Sequence, residues 1–392
     1  MNVLIKDLRI AKWDISWVTI LWFLLAIIGV LLKIKLGQDK IGNYLIFENA
    51  FQNTIHQHNL YFVDPAKHLG SFLYGPLFSI VIAPFAVFST NVGAFLWGVV
   101  NAGFLFFAIR NLPVSYKNQN IILLISAIEM MTCLQNMQIN CIIAGLIIFA
   151  FIYVQQQRDF WATLFIAIGF LVKLYGIVGI AFFLFSNHKI KFSLSFLFWL
   201  AVLFCLPMVI SSPSFIIESY AEWYHTLVAK DTANSVSDMQ NISVMGMLRH
   251  ILKTEYLNGI VVMAAALCYA LPLLRKKQFL NLSFRLSYLA LALIGVVIFS
   301  SSAESPTYII AVSGVGIWYI LQQESWPVIL LLITTFLLTS FSATDFFPLF
   351  IKMNYVRPYA LKALPCFLVW LVLVYQLLKK DFGAETIPIL HQ

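Results

Sequence analysis

One lysine lies in the middle of an otherwise uncharged, strongly apolar stretch. Residues 165–185 read FIAIGFLVKLYGIVGIAFFLF, and Lys173 is their only charged residue. A lysine at the centre of a membrane helix costs about 2.5–3.5 kcal/mol on insertion scales, so an interaction must offset that cost. Two explanations are open. Lys173 forms a buried ion pair with Glu129, or it binds an anion that arrives and leaves, such as the phosphate of a lipid.

A stripe of polar side chains runs along the apolar segment that contains Glu129. Its members are separated from Glu129 by 3, 4, 7 and 11 residues, which places them on one helical face. The stripe consists of Glu129, Thr132, Cys133, Asn136 and Asn140, and Gln135 and Gln138 flank it. Polar groups in a membrane helix face protein or water rather than lipid. The stripe therefore predicts either hydrogen bonds between helices or a site for a sugar or a phosphate.

Carboxylates that could accept a proton lie in a long segment, residues 37–73. Its apolar positions recur at near-helical spacing, which predicts a helix lying in the membrane interface. Such a segment can hold carboxylates, among them Asp39, Glu48 and Asp64, over a cavity. The alternative for each acid is a charge that faces water.

Cations and amides in later segments could contact the same ligand. Arg249 is the last residue but one of the stretch NISVMGMLRH, and Arg357 precedes the last apolar segment. Their planar guanidinium groups match phosphate oxygens. Asn241 and Ser243 offer hydrogen bonds, or they cap the start of a surface helix. Glu304 contacts substrate or caps the helix that follows it.

The composition defines the elements that carry these groups. Hydrophobic residues make up 61% of the 392 residues, charged residues only 11%, and the mean hydropathy is +0.87. A soluble domain is about 25% charged, so this is an all-α, polytopic membrane protein of about 10–12 spans. The predicted spans are 17–36, 74–90, 92–109, 120–135, 138–155, 160–185, 192–210, 259–274, 284–300, 307–321, 326–342 and 359–378.

Basic residues predict the orientation of these spans. Lysine and arginine mark the cytoplasmic ends of membrane helices, which puts both termini inside. Residues 37–73, 211–258 and 342–357, here called the first, second and third long segments, then lie outside. We expect one integral membrane domain over residues 1–392, with a core at 1–210 and further spans at 259–378. The frequent Ile, Phe, Lys and Asn residues favour a bacterial inner membrane.

Several kinds of site have no sequence signature. The five cysteines have no CxxC spacing and predict thiols packed among helices. The seven histidines have no ligand spacing, and no P-loop, HExxH or DxD motif is present. We therefore expect neither a metal nor a cofactor. The net charge of +8 reflects cytoplasmic helix ends rather than nucleic-acid binding.

In order along the chain, these residues resemble the motifs of glycosyltransferase family 87, within the GT-C superfamily. The resemblance covers most of the chain, and it begins with an aromatic pattern in the first long segment. The matching residues are Asn43, Tyr44, Phe47 and Ala50, then Asn59 and Tyr61, then Tyr74, Gly75 and Pro76, then Gln135, Asn136, Gln138 and Asn140, then Lys173, and finally Asn241, Ser243 and Arg249. A GT-C core of seven spans followed by a large outer loop also fits.

The resemblance implies an inverting transfer of a sugar, typically mannose, from a polyprenyl-phosphate-sugar donor to a glycan or lipid acceptor at the outer face. Lys173 and Arg249 are then expected to bind the donor phosphate. The expected substrate-binding residues are Asn43, Tyr74, Glu129, Gln135, Asn136, Gln138, Asn140, Asn241, Ser243, Glu304 and Arg357. The family's aspartate, expected to be the base, falls on Asn43, whose amide cannot accept the proton. We therefore assign the base to Glu48 or Asp39, because a carboxylate can take the proton of a hydroxyl. Asp64 and Glu304 are weaker candidates.

Two other functions remain open. A transporter or lipid flippase also carries charges inside the membrane, but it is expected to show inverted repeats, which the sequence lacks. A membrane scaffold without catalytic activity would explain the amide at Asn43. We expect membrane lipids, a lipid-linked donor and an acceptor as partners of this protein.

Overall fold

A computed structural model describes residues 7–10, 13–63, 70–234, 241–253 and 258–384. Their fold is almost entirely helical, and the predicted all-α membrane class is confirmed. The α-helices are α1 (Trp17–Lys35), α2 (Gly42–Ile55), α3 (Phe78–Ala86), α4 (Thr90–Arg110), α5 (Tyr116–Gln135), α6 (Asn140–Gln155), α7 (Asp159–Val172), α8 (Lys189–Cys205), α9 (Pro213–Asn234), α10 (Val244–Leu252), α11 (Asn258–Ala270), α12 (Leu282–Ile298), α13 (Tyr308–Ile320), α14 (Trp326–Thr334), α15 (Leu349–Ile351) and α16 (Ala363–Lys379).

Short helices of other types extend or connect these elements. The 3₁₀ helices are Gln38–Ile41, Leu174–Phe185, Leu206–Val209, Leu271–Leu274, Lys276–Leu280, Ser305–Thr307, Phe341–Ala343 and Phe382–Ala384. The π-helices are Thr335–Ser340 and Lys352–Val356. One hairpin was not predicted: strands β1 (Asp7–Ile10) and β2 (Trp13–Ser16) pair antiparallel, with Asp7 opposite Ser16.

Every predicted span contains a helix, but many of these helices are short. Within the described residues, four helices are long and apolar enough to cross a membrane: Trp17–Lys35, Thr90–Arg110, Lys189–Val209 and Trp326–Ala343. Seven further apolar helices have 10–17 residues. The predicted span 74–90 holds only the nine residues of α3, which contains Pro84. The exact number of crossings therefore stays a prediction.

The chain divides into two compact units. The first unit comprises Met1–Trp22, Ile109–Thr132 and Asp231–Gln392, and the second comprises Phe23–Ala108 and Cys133–Lys230. In the first unit, α12 packs against α13 and α16. In the second unit, α7 packs between α6 and α8, and α2 packs against α3.

The predicted span 160–185 is not one continuous helix. It ends as α7 at Val172, passes through Lys173 in an extended conformation, and resumes as a 3₁₀ helix at Leu174. Two glycines allow the halves to approach closely, because a Cβ on Gly176 would lie 2.3 Å from the carbonyl carbon of Gly169. The break places Lys173 at the end of a half-helix, where irregular backbone in a membrane protein usually borders protein or a cavity.

Candidate functional site

Lys173 lies at the centre of a group of polar side chains in the second unit. Its Nζ donates a hydrogen bond to Asn140 Oδ1 at 2.7 Å. The same atom lies 5.6 Å from the ring centroid of Tyr74 and 5.0 Å from that of Tyr175. Lys173 is half-buried, and Asn140 is fully buried. A partly desolvated ammonium among an amide and two aromatic faces is a strong attractor for an anion.

The turn between α5 and α6 presents the amides of the predicted polar stripe. Its backbone has the hydrogen bonds of a Schellman motif, from Gln138 N to Cys133 O at 3.1 Å and from Met137 N to Leu134 O at 2.9 Å. Met137 takes the left-handed position, with φ of 53°, where glycine is usual. Trp97 Nε1 donates to Met137 O at 2.9 Å. The tryptophan therefore helps to hold this turn in place.

Tyr74 joins this turn to the lysine. Its hydroxyl donates to Gln138 Oε1 at 2.7 Å, and its ring contacts Lys173 as described above. The next residue, Gly75, donates its N–H to Val172 O at 3.1 Å, directly before the break at Lys173. Two sequence motifs about 100 residues apart are thus held together by both side-chain and backbone bonds.

Asn43 connects α2 to the same turn. Its Nδ2 donates to the backbone carbonyl of Asn136 at 2.8 Å. One turn further along α2, Phe47 packs edge-on against Tyr74, with ring centroids 5.2 Å apart. The structure therefore brings together six of the predicted residues: Asn43, Tyr74, Asn136, Gln138, Asn140 and Lys173. Gln135 is half-buried at the last residue of α5.

Glu48 lies on a different face of α2 from Asn43. Five residues separate them, which corresponds to a rotation of about 140° around a helix. The hydroxyl of Thr90, the first residue of α4, donates to Glu48 Oε1 at 3.2 Å and to Oε2 at 3.1 Å. Burial raises the pKa of Glu48, and the Thr90 hydrogen bond partly opposes this effect. The carboxylate is thus a stronger base than an exposed one, but it is held at the start of α4.

Asp39 lies at the surface before α2. Its carboxylate pairs with Lys40 at 2.7 Å, and this hydrogen bond lowers its pKa below the usual value. A lower pKa makes Asp39 a weaker proton acceptor than Glu48. Asp64, the weaker candidate in this segment, lies outside the described residues. Which carboxylate acts as base stays a prediction.

The suggested ion pair between Lys173 and Glu129 is wrong. In the first unit, Lys362 Nζ donates to Glu129 Oε1 at 2.7 Å, and both side chains are almost completely buried. The same Nζ donates to Ser305 Oγ at 2.9 Å and lies 5.0 Å from the ring centroid of Tyr308. The sequence analysis missed Lys362, although a lysine inside the predicted span 359–378 needs a partner for the same reason as Lys173.

Asn241 and Ser243 form a helix cap in the first unit. Ser243 Oγ accepts from Gly246 N at 3.1 Å, and it donates to Asn241 Oδ1 at 2.5 Å. The backbone of Ile242 pairs with Ala303 O at 2.9 Å. Both side chains are buried, and Ser243 caps α10. Whether either residue also contacts a ligand stays a prediction.

The remaining predicted residues of the first unit have separate environments. Glu304 precedes the 3₁₀ helix Ser305–Thr307, and its N–H donates to Thr307 Oγ1 at 3.4 Å. Arg249 is half-buried near the end of α10, where its Nη2 lies 3.4 Å from His250 Nε2. Arg357 is exposed, with Nη1 3.4 Å from Met353 Sδ. Their roles toward a ligand stay predictions.

Among the described residues, no three His, Cys, Asp or Glu side chains cluster as a metal site would require. The five cysteines are free. The described residues around Lys173 offer an ammonium, amides and two aromatic rings. Such a set suits the hydroxyls of a sugar and the charge of a phosphate.

Comparison with known protein families identifies the family of this chain. No curated protein matches the chain. The family model of glycosyltransferase family 87 matches residues 72–301, which are more than half of the chain and include Tyr74, Gln138, Asn140 and Lys173. The chain is therefore a membrane protein that belongs to glycosyltransferase family 87.

Proposed function

We propose that this glycosyltransferase moves a hexose, mannose in the first instance, from a polyprenyl-phosphate-sugar donor to a glycan or lipid acceptor. The reaction takes place at the outer face of a bacterial inner membrane, with both termini cytoplasmic. The observation that carries the proposal is the half-buried ammonium of Lys173 at a helix break, bonded to the amide of Asn140 and near Tyr74, whose hydroxyl binds Gln138. This arrangement suits a ligand that is both a sugar and a phosphate.

The chemistry follows from the charges that develop during the transfer. The acceptor hydroxyl attacks the anomeric carbon from the face opposite the phosphate, so the configuration inverts. The bond between that carbon and the phosphate oxygen breaks, and its electrons stay on the phosphate. Lys173 stabilises this growing negative charge in a partly dry site. A carboxylate accepts the proton of the hydroxyl, and Glu48, with its raised pKa, is the first candidate.

Arg249 remains a proposed second cation for the donor phosphate. It belongs to the first unit, and Lys173 belongs to the second, so each role is tested by its own variant. Arg357, Glu129, Glu304, Asn241 and Ser243 likewise remain proposed substrate contacts. For Glu129 and Ser243, the observed partners already account for their burial.

A second function, sugar binding without transfer, is favoured by one observation. Asn43 stands where the family has its aspartate, and it uses its N–H to bind Asn136 O. An ionised aspartate has no N–H to donate there. Asn43 therefore helps to hold the turn. This role is compatible with a protein that binds a sugar without transferring it.

The test is donor turnover by purified protein in nanodiscs. The probe is radiolabelled polyprenyl-phosphate-mannose, with polyprenyl-phosphate-glucose as the matched donor that differs only in the sugar. The proposal predicts that the label leaves the lipid phosphate when acceptor lipids are present, with inverted configuration in the product. Binding of the donor without any turnover supports the second function instead. If the protein neither binds nor turns over either donor, both proposed functions are contradicted.

A further inference from the structure

The turn that carries Tyr74 is held between two distant parts of the second unit. On one side, Gly75 N donates to Val172 O at 3.1 Å. On the other side, Trp223 Nε1 in α9 donates to Leu73 O at 3.1 Å. Residues 73–75 are therefore hydrogen-bonded both to the end of α7 and to α9. Lys173 directly follows Val172, the residue of α7 that makes this bond.

The space around Gly75 is closed on both sides. A Cβ at this position would lie 1.9 Å from Leu171 O and 3.0 Å from Trp223 Cζ3. The indole ring is thus in close contact with the backbone of the turn, and Trp223 itself is buried, with 6% of its surface exposed. A smaller ring would leave a gap into which the turn could move, since well-packed interiors relax only in part.

α9 also holds the chain that leads to this turn. Glu222 Oε1, beside Trp223, accepts from Asn59 Nδ2 at 2.7 Å. Tyr61 OH donates to Tyr74 O at 3.1 Å. Besides the bond of Trp223 to Leu73, α9 thus binds Asn59 through Glu222, and Tyr61, two residues after Asn59, binds Tyr74.

We propose that Trp223 is a positioning residue for the transfer reaction. Through its bond to Leu73 and its contact with Gly75, it fixes Tyr74 at the distance from Lys173 and Gln138 that the site requires. The inference rests on the proposed function. Tyr74 contacts both groups, with its ring near Lys173 Nζ and its hydroxyl on Gln138 Oε1, so a shift of the turn changes both interactions together.

The experiment compares two tryptophan variants of the full-length protein in nanodiscs. Trp223→Phe keeps an aromatic ring and removes the N–H. Trp199→Phe is the matched control, because Trp199 Nε1 also donates to a backbone carbonyl of the second unit, that of Phe160 at 2.8 Å. Both variants should lower the unfolding temperature by similar amounts. Trp223→Phe alone should lower kcat for radiolabelled polyprenyl-phosphate-mannose about tenfold, because small displacements of reacting groups are costly.

A second background separates positioning from general stability. In Tyr74→Ala there is no side chain left to position, so adding Trp223→Phe should change kcat less than about twofold. A tenfold loss in both backgrounds, or an equal loss from Trp199→Phe, overturns the inference. So does an unchanged kcat in Trp223→Phe when the wild type is active. If the wild type itself does not turn over the donor, the proposed function fails, and the inference fails with it.

Discussion

Asn43 donates its side-chain N–H to the backbone carbonyl of Asn136 at 2.8 Å. The sequence analysis placed the family's aspartate at this position and predicted a substrate contact for Asn43, and the structure shows it as a donor to the backbone. The bond ties α2 to the turn that carries Gln138 and Asn140. The amide of Asn43 cannot accept a proton, so the proposed base is a carboxylate elsewhere, Glu48 or Asp39.

Replacing Asn43 by aspartate tests this role. Asn43→Asp removes the donor and places a negative charge against a carbonyl oxygen, so we expect a loss of about 0.5–1.5 kcal/mol in the free energy of unfolding. Donor turnover should fall, because the turn loses one of its supports. Asn43→Ala, which removes the bond without adding charge, is the control. Higher turnover in Asn43→Asp than in wild type would show that the position still acts as a base site.

Glu48 should set the acid side of the pH dependence if it is the base. Burial raises its pKa, and a carboxyl group accepts a proton only in its ionised form, so turnover should fall as the pH drops through that raised pKa. The fall should therefore occur at higher pH than an ordinary glutamate, whose pKa is about 4.3, would give. Glu48→Gln should remove the pH-dependent activity while donor binding is retained.

Thr90→Val provides a matched test of the same assignment. The Thr90 hydroxyl donates to both oxygens of Glu48 and favours the ionised form. Its removal should raise the pKa of Glu48 further, so the acid limb of the rate profile should move to higher pH. An unmoved profile in Thr90→Val, measured by donor turnover over a pH series, argues against Glu48 as the base.

The buried pair of Lys362 and Glu129 should matter for stability. Lys362→Met leaves a buried carboxylate without its partner, and breaking such a pair costs about 3–5 kcal/mol. Adding Glu129→Gln should recover a large part of this loss, because the uncompensated charge disappears. Thermal unfolding in detergent measures both, with the exposed Lys276→Met as control. If the single and double variants unfold alike, the two side chains are not coupled.

The proposed role of Arg249 in binding the donor phosphate can be tested with one variant that keeps its charge and one that removes it. If its guanidinium binds the donor phosphate, Arg249→Lys keeps the charge but loses the planar fork, so donor KM should rise about tenfold. Arg249→Met should raise it further. Equal KM values for the wild type and both variants would contradict a role of Arg249 in binding the donor phosphate.

Much of the helical layout could be predicted from the sequence, because long apolar segments must satisfy their backbone groups within helices. The sequence indicated that Lys173 needs a special environment, but it predicted one span over residues 160–185 and not the break that the structure shows. The partner of Glu129 could not be found in this way, because pairing between residues 233 positions apart depends on packing rather than on local pattern. The five-residue spacing already separates Asn43 and Glu48 on a helix, but the sequence could not show that their partners are Asn136 and Thr90.

The β1–β2 hairpin illustrates the same limit. Each strand has only four residues, polar and apolar ones together. So short a run shows no alternation of polar and apolar residues strong enough to predict a strand. The sequence analysis placed the polar side chains from Glu129 to Asn140 on one helical face, and that prediction is wrong. The structure ends the helix at Gln135 and turns the chain at Met137, so Gln138 and Asn140 reach the site from a turn and from the next helix.

The most direct test of the central claim is the rate at which Lys173 variants use the donor. Wild type, Lys173→Met and Lys173→Arg are compared in nanodiscs with radiolabelled polyprenyl-phosphate-mannose. Lys189→Met is the matched control, since Lys189 Nζ donates to a backbone carbonyl of the same unit, that of Phe183. We expect Lys173→Met to lower kcat about 10²–10³-fold, with partial retention in Lys173→Arg, because one stabilising group for the leaving charge is lost. A loss no larger than that of Lys189→Met would contradict the assignment of Lys173 to the phosphate.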